Sequence, residues 1–189
     1  MNFSPKLMAM VATAVMSCSA FALTDDEFKA EKDRIEAEYK SAKEQCKSLS
    51  GNAQDVCEEE AKGRKKVGKA ELDFRKDGSE SNRHNVAKAK ADAAYEVAKE
   101  KCDDQSGNAK DVCEADAKAA HVKALEEAKV DRAANSAGDS RGSNVSEARK
   151  DAAENVREAD YKAAMQRCDE MSGDAKDKCQ NDAKRTYAQ

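Results

Sequence analysis

Tyr39-Lys-Ser-Ala-Lys-Glu-Gln-Cys46-Lys-Ser-Leu-Ser-Gly51-Asn-Ala-Gln-Asp-Val-Cys57-Glu-Glu-Glu-Ala-Lys62 is the stretch whose reading decides the architecture of this chain. It returns at 95–118 with 15 of its 24 positions identical, and more loosely at 161–184. Ten positions agree in all three copies, reading Tyr, Ala, Cys, Ser, Gly, Ala, Asp, Cys, Ala and Lys at fixed spacing. A glycine that ends one helix, followed directly by a residue that caps the next, is a stop-then-start signal. Ser50-Gly51-Asn52, Ser106-Gly107-Asn108 and Ser172-Gly173-Asp174 all have that form. Asp55, Asp111 and Asp177 follow in the first turn, where negative charge suits the helix dipole. A connection of two or three residues makes the flanking helices antiparallel neighbours. The unit therefore predicts a helical hairpin, used three times.

Reflection about each turn checks the geometry. Positions summing to 103 pair Cys46 with Cys57 and Ala42 with Ala61. A sum of 215 pairs Cys102 with Cys113 and Ala98 with Ala117, and a sum of 347 pairs Cys168 with Cys179 and Ala164 with Ala183. Alanine one turn from each cysteine lets two helices approach to the ~4.4–6.8 Å between Cα atoms that a disulfide requires. Tyr39, Tyr95 and Tyr161 come one further turn along and are expected to lay their rings over the partner helix.

The chain holds seven cysteines. Cys18 lies in an N-terminal segment with the marks of a secretory signal peptide, and the other six are the three repeated pairs. Six cysteines allow fifteen connectivities. The repeated Cys-x10-Cys spacing makes pairing within each copy the simplest, in an oxidising compartment. Structural zinc sites bring ligands in pairs two to four residues apart, and no such pair occurs; His84 and His121 fall outside the repeated unit. No Cys-x-x-Cys redox motif is present either.

The signal segment is residues 1–22, with Lys6, an apolar run from Leu7 to Met16, and Ala20-Phe21-Ala22. The apolar run is too short for a comfortable membrane span. Cleavage after Ala22 leaves Leu23 first and implies a periplasmic location. A competing reading takes Val15-Met16-Ser17-Cys18 as a lipobox, in which case lipidated Cys18 attaches the chain to a membrane. Thr24-Asp-Asp-Glu27 then forms a capping box, with Leu23 and Phe28 at hydrophobic-staple positions.

Composition limits what these helices can form. Leu, Ile, Val and Phe together number 21 of 189 residues, too few for an ordinary globular core. The 34 basic and 38 acidic residues nearly cancel, are mixed along the chain and lie among many alanines, which favours solvated helix over coil. The first helix is expected over Asp25–Leu49, with Phe28, Ile35, Ala42 and Leu49 at seven-residue spacing as a narrow seam. The second is expected over Ala53–Arg75, weakened by Gly63 and Gly68, with Val67, Ala70 and Phe74 on one face. A break follows at Asp77–Asn82, the fourth helix covers Ala109–Ala134, and Asn135–Asn144 consists of breaker and turn types. The resulting division is signal peptide 1–22, hairpins 23–77 and 82–135, linker 136–145 and hairpin 146–189. The fold class is all-α: three disulfide-closed, coiled-coil-like antiparallel hairpins. If the six helices pack up-and-down, all three cysteine pairs share one end; otherwise the chain is a string of hairpins.

Function is less legible. No Gly-x-Ser-x-Gly, phosphate-cradling glycine loop or His-Glu-x-x-His motif occurs, and the carboxylates recur where i,i+4 pairing explains them. Cys102 to Cys113 has the length of an EF-hand loop with Gly107 sixth, but cysteines occupy its first and last ligand positions. There is no basic stripe or aromatic-rich sheet pattern, which argues against nucleic acid; Lys62-Gly-Arg-Lys-Lys66 is short and followed by acids. The reading is of a non-enzymatic chain without metal or cofactor. Its repetitive Ala/Lys/Glu/Asp-rich composition resembles a group of exported Gram-negative envelope proteins of no established activity, some labelled TolA-like. That resemblance implies a structural or protein-interaction role in the periplasm, with an envelope protein or a second copy as partner. The TolA pattern includes a retained membrane anchor and a globular C-terminal domain, neither of which is read here. The alternative is a periplasmic stress or binding protein that takes up cations or unfolded chains.

Overall fold

The computed structural model describes residues 23–136 and 141–188, so the signal segment, the lipobox and the middle of the linker lie outside the described residues. Among those described, all regular structure is helical: α1 (Asp25–Cys46), α2 (Asn52–Asp77), α3 (Glu80–Cys102), α4 (Asn108–Asn135), α5 (Arg141–Cys168) and α6 (Gly173–Tyr187). The start of α1 follows from its capping box. Thr24 Oγ1 accepts the Glu27 N–H at 3.3 Å, and Glu27 Oε2 accepts the Thr24 N–H at 2.9 Å.

The three cysteine turns are alike. After Cys46 the chain tightens through successive i→i+3 bonds, Lys47 N–H to Glu44, Ser48 N–H to Gln45 and Leu49 N–H to Cys46. Gly51 then takes φ +59 and ψ −149, a region essentially reserved for glycine, and Gly107 repeats it at φ +58 and ψ −145. Helix α1 therefore ends at Cys46 and not at Leu49, and Leu49 leaves the seam to stand 44% exposed. Nor does Asn52 cap α2. Gly51 occupies the cap position without a side-chain bond, and Asn52 is the first helical residue.

The stop-then-start device sits instead at the other kind of turn. Gly78 ends α2 in the left-handed conformation with its N–H on Phe74 O at 2.7 Å, and Ser79 caps α3 through Asn82 N–H at 3.1 Å. Asp77 secures this turn by accepting the Ser79 N–H, so its carboxyl is held below the ordinary carboxylate range. The expected break at Asp77–Asn82 thus shrinks to Gly78 and Ser79. Likewise α5 already includes Gly142 to Asn144, so the expected linker is shorter than its composition suggested.

Each helix packs against its neighbours in chain order and against no other described helix. Every junction is antiparallel. Glu36 meets Lys65 at 2.7 Å between α1 and α2, and Glu71 meets Lys90 at 2.7 Å between α2 and α3. Asp92 meets His121 at 2.7 Å between α3 and α4, and Arg167 bonds Asp116 between α5 and α4. The result is an open up-and-down row, one helix thick, neither a closed bundle nor a loose string. All three cysteine turns lie at one end of it.

The interior of this row is thin. Its buried apolar residues are Ile35, Leu72, the three helix-ending cysteines and a series of alanines such as Ala61, Ala91, Ala128 and Ala163. The glycines within α2 permit that close packing. A Cβ on Gly63 would lie 2.9 Å from Ala93 Cβ, and one on Gly68 would meet Ile35 at 3.5 Å. They are contact points between helices as well as weak helix formers.

Cross-helix ion pairs set register between lean faces more than they supply stability. Glu31 is bonded by Arg34 on its own helix and by Arg75 of α2 at 3.1 Å, and these cations hold its carboxyl down to about 2. Lys65 and Lys69 likewise keep Glu36 low. A depressed folded pKa gives stability that is present above the unfolded value, about 4.3 for Glu, and is lost as pH falls through the folded one. The melting temperature is therefore expected to fall as pH drops from about 4.3 to about 2. Glu31→Gln should flatten part of that slope in thermal melts followed by circular dichroism. An unchanged slope would mean that the pair is not formed in solution.

Candidate functional site

The six repeated cysteines are brought together in pairs, Cys46–Cys57, Cys102–Cys113 and Cys168–Cys179, each with Cα atoms 5.6 Å apart. Cys46, Cys102 and Cys168 are fully buried and their partners half-buried, so the bonds are elements of packing at the hairpin turns. Each repeated tyrosine reaches the partner helix, as expected, but meets a different group there. Lys65 Nζ lies 4.2 Å from the centre of the Tyr39 ring, Tyr95 stacks on His121 with ring centres 4.6 Å apart, and Tyr161 is tilted against Tyr187 at 6.4 Å. A shared backbone geometry thus carries three different side-chain environments.

The most distinctive of these is between α3 and α4. His121 Nε2 lies 2.7 Å from Asp92 Oδ1, and since a carboxylate only accepts, Nε2 carries the proton. The other ring nitrogen, Nδ1, is buried and has no hydrogen-bond partner among the described residues. Burial pushes the Asp92 carboxyl up, but hydrogen bonds from Lys88 and His121 outweigh it and hold the group below its ordinary range. A carboxylate-oriented imidazole is an arrangement used for metal ligands and proton acceptors. The Tyr95 ring covers one face of this imidazole, and among the described residues no group of three His, Cys, Asp or Glu is placed to hold a metal ion. Chemically the cluster is a polar lock between two helices.

A second buried polar group joins α4 to α5. Glu126 is 5% exposed; its Oε1 accepts hydrogen bonds from Lys129 Nζ at 2.7 Å and Asn155 Nδ2 at 3.0 Å, while Oε2 is buried without a partner among the described residues. Neither this group nor the Asp92–His121 pair was singled out from sequence. For His121 the signal was present, because the same reflection that pairs Cys102 with Cys113 sets position 121 opposite Ala94 and Tyr95. Glu126 offered no signal, since it stands in a helix crowded with carboxylates.

One broad face of the row carries two adjoining grooves, which share Arg64, Gly68 and Glu71. The groove between α1 and α2 has a volume of about 300 Å³ and is rimmed by charge, with Glu31, Arg34, Glu38 and Arg75 around Ile35 and Leu72. The groove between α2 and α3 is larger, about 670 Å³, and mostly apolar, floored by Gly63, Val67, Ala93 and Val97. In comparisons with known proteins, no family model, curated protein or solved structure matches the chain.

Proposed function

We propose that this chain is a non-enzymatic structural or protein-interaction module of the bacterial cell envelope, which presents the broad faces of a helical row to a partner. The observation that carries the reading is the packing pattern. Because each described helix touches only its chain neighbours, neither face of the six-helix layer is covered by another described helix, and one face carries two shallow grooves. Layers built this way from repeated units characteristically bind along an extended surface. A periplasmic setting is supported by three disulfides, which form and persist in oxidising compartments, and by the leader-like pattern of residues 1–22.

Photo-reactive side chains placed at exposed positions on the broad faces, such as Arg64 and Lys90, test the reading in intact cells. Discrete adducts with an envelope protein, or with a second copy, are the expected result. A chain that yields no adduct from any face position is not an interaction module. If it instead suppresses aggregation of unfolded proteins in solution, the stress-protein alternative gains.

A further inference from the structure

The two ends of the row are closed by polar helix faces. Asp33, Ala37, Lys40 and Glu44 are exposed on the side of α1 away from α2, and Asp174, Lys178, Asn181 and Arg185 are exposed on the side of α6 away from α5. Repeat arrays whose terminal units turn a polar face outward do not extend end to end. Apolar surface remains instead on the broad faces, more of it in the α2–α3 groove than between α4 and α5 at Val130 and Val156. In the α2–α3 groove Val67 and Val97 are only half-buried and Ala94 is exposed, and the contact of Gly63 with Ala93 keeps the floor flat.

We propose that this groove is the interface of a symmetric dimer, filled by the same groove of a second copy. The inference rests on the reading of the chain as an interaction protein and names one partner for it. The charges around the floor select both the occupant and its orientation. Acids stand on α2 and bases on α3 at each end: Glu60 is 3.8 Å from Lys101, and Glu71 is 2.7 Å from Lys90. A two-fold axis running along the groove lays α2 of one copy over α3 of the other at the same level. Glu60 then faces Lys101 of the second copy and Glu71 faces its Lys90, giving a ring of four alternating charges at each end of the apolar floor.

The other face-to-face arrangement, with the axis across the helices, would set Glu60 over Glu71 and Lys90 over Lys101. Like charges so placed are strongly disfavoured. In the favoured arrangement Arg64 crosses above Ala94 and Ala98, whose small side chains leave room for its stem. The contact is isologous, as a two-fold interface is, and it stacks two open helix pairs into a four-helix arrangement with a covered core.

Sedimentation of the oxidised protein at increasing concentration tests this. A mass twice that of the single chain is expected at high concentration, with dissociation in strong salt as the charge rings are screened. Ala94→Arg alters an exposed position, so helicity and melting of the dilute protein should not change. It sets a second guanidinium against Arg64 of the other copy, and the dimer should weaken by on the order of tenfold or more. Ala37→Arg, on the outer side of α1, is the control and should leave the dimer intact. A single-chain mass at every concentration overturns the proposal, as does a dimer indifferent to Ala94→Arg or equally weakened by both substitutions. A single-chain mass would still leave the broader reading to its own cross-linking test in cells.

Discussion

Reduction of the three disulfides should lower the melting temperature of the oxidised chain by roughly 20 °C. Each bond joins cysteines 11 positions apart. Closing a loop of that size removes about 3 kcal/mol of denatured-state freedom in the chain-entropy treatment. Three such terms rival the whole stability of an ordinary domain, about 5–15 kcal/mol. The rest of the interior offers little to replace them, since among the described residues the buried apolar side chains beyond Ile35 and Leu72 are alanines and the cysteines themselves. Thermal melts with and without a phosphine reductant decide the matter. A shift under about 5 °C, about 2 kcal/mol for a chain of this size, would show that the staples are largely redundant with packing.

Leu72→Ala is expected to cost about 2–5 kcal/mol. Leu72 is 2% exposed and lines the α1–α2 interface together with Ile35, so its removal leaves a cavity between two helices that have few other large side chains. The location of the damage is more informative than its size. Helix α1 has α2 as its sole described neighbour, so the loss should fall on α1 while α3 and α4, held by Asp92–His121 and Tyr95, keep their order. Hydrogen exchange should show protection lost along α1 and retained in α3 and α4. A uniform loss over all helices would mean that the row unfolds as one cooperative unit and is not a sum of nearest-neighbour contacts. The near-isosteric Leu72→Met should cost less than about 1.5 kcal/mol.

What could be read in advance was local. Mirror symmetry of Cys46 and Cys57, or of Ala98 and Ala117, about a glycine turn encodes a hairpin, because short connections admit few geometries. The contacts between successive hairpins depend on segments that do not repeat, and their signals pointed elsewhere. Gly63 reads as a helix weakener until Ala93 is found against it. Leu49 fits a seven-residue spacing but falls beyond the last hydrogen-bonded turn of α1, so periodicity alone placed it wrongly. The Gly78–Ser79 turn was hidden within a polar run in which Glu80 to Asn82 also look like loop. The α2–α3 groove could not be anticipated, because Val67 and Val97 become neighbours only after that turn is drawn tight.

The neighbour-only pattern of contacts also bears on how the chain reaches its oxidised form. Contacts close in sequence form early and quickly, since little chain must be ordered to make them. Loops of about ten residues close within roughly 10–100 ns, far faster than thiol oxidation. Each cysteine therefore meets its partner 11 positions away many times before it meets a cysteine of another hairpin. Of the fifteen pairings open to six thiols, kinetics and the final structure favour the same one, so the chain can oxidise hairpin by hairpin in the order in which it emerges. Correct pairing then needs an electron acceptor and little reshuffling.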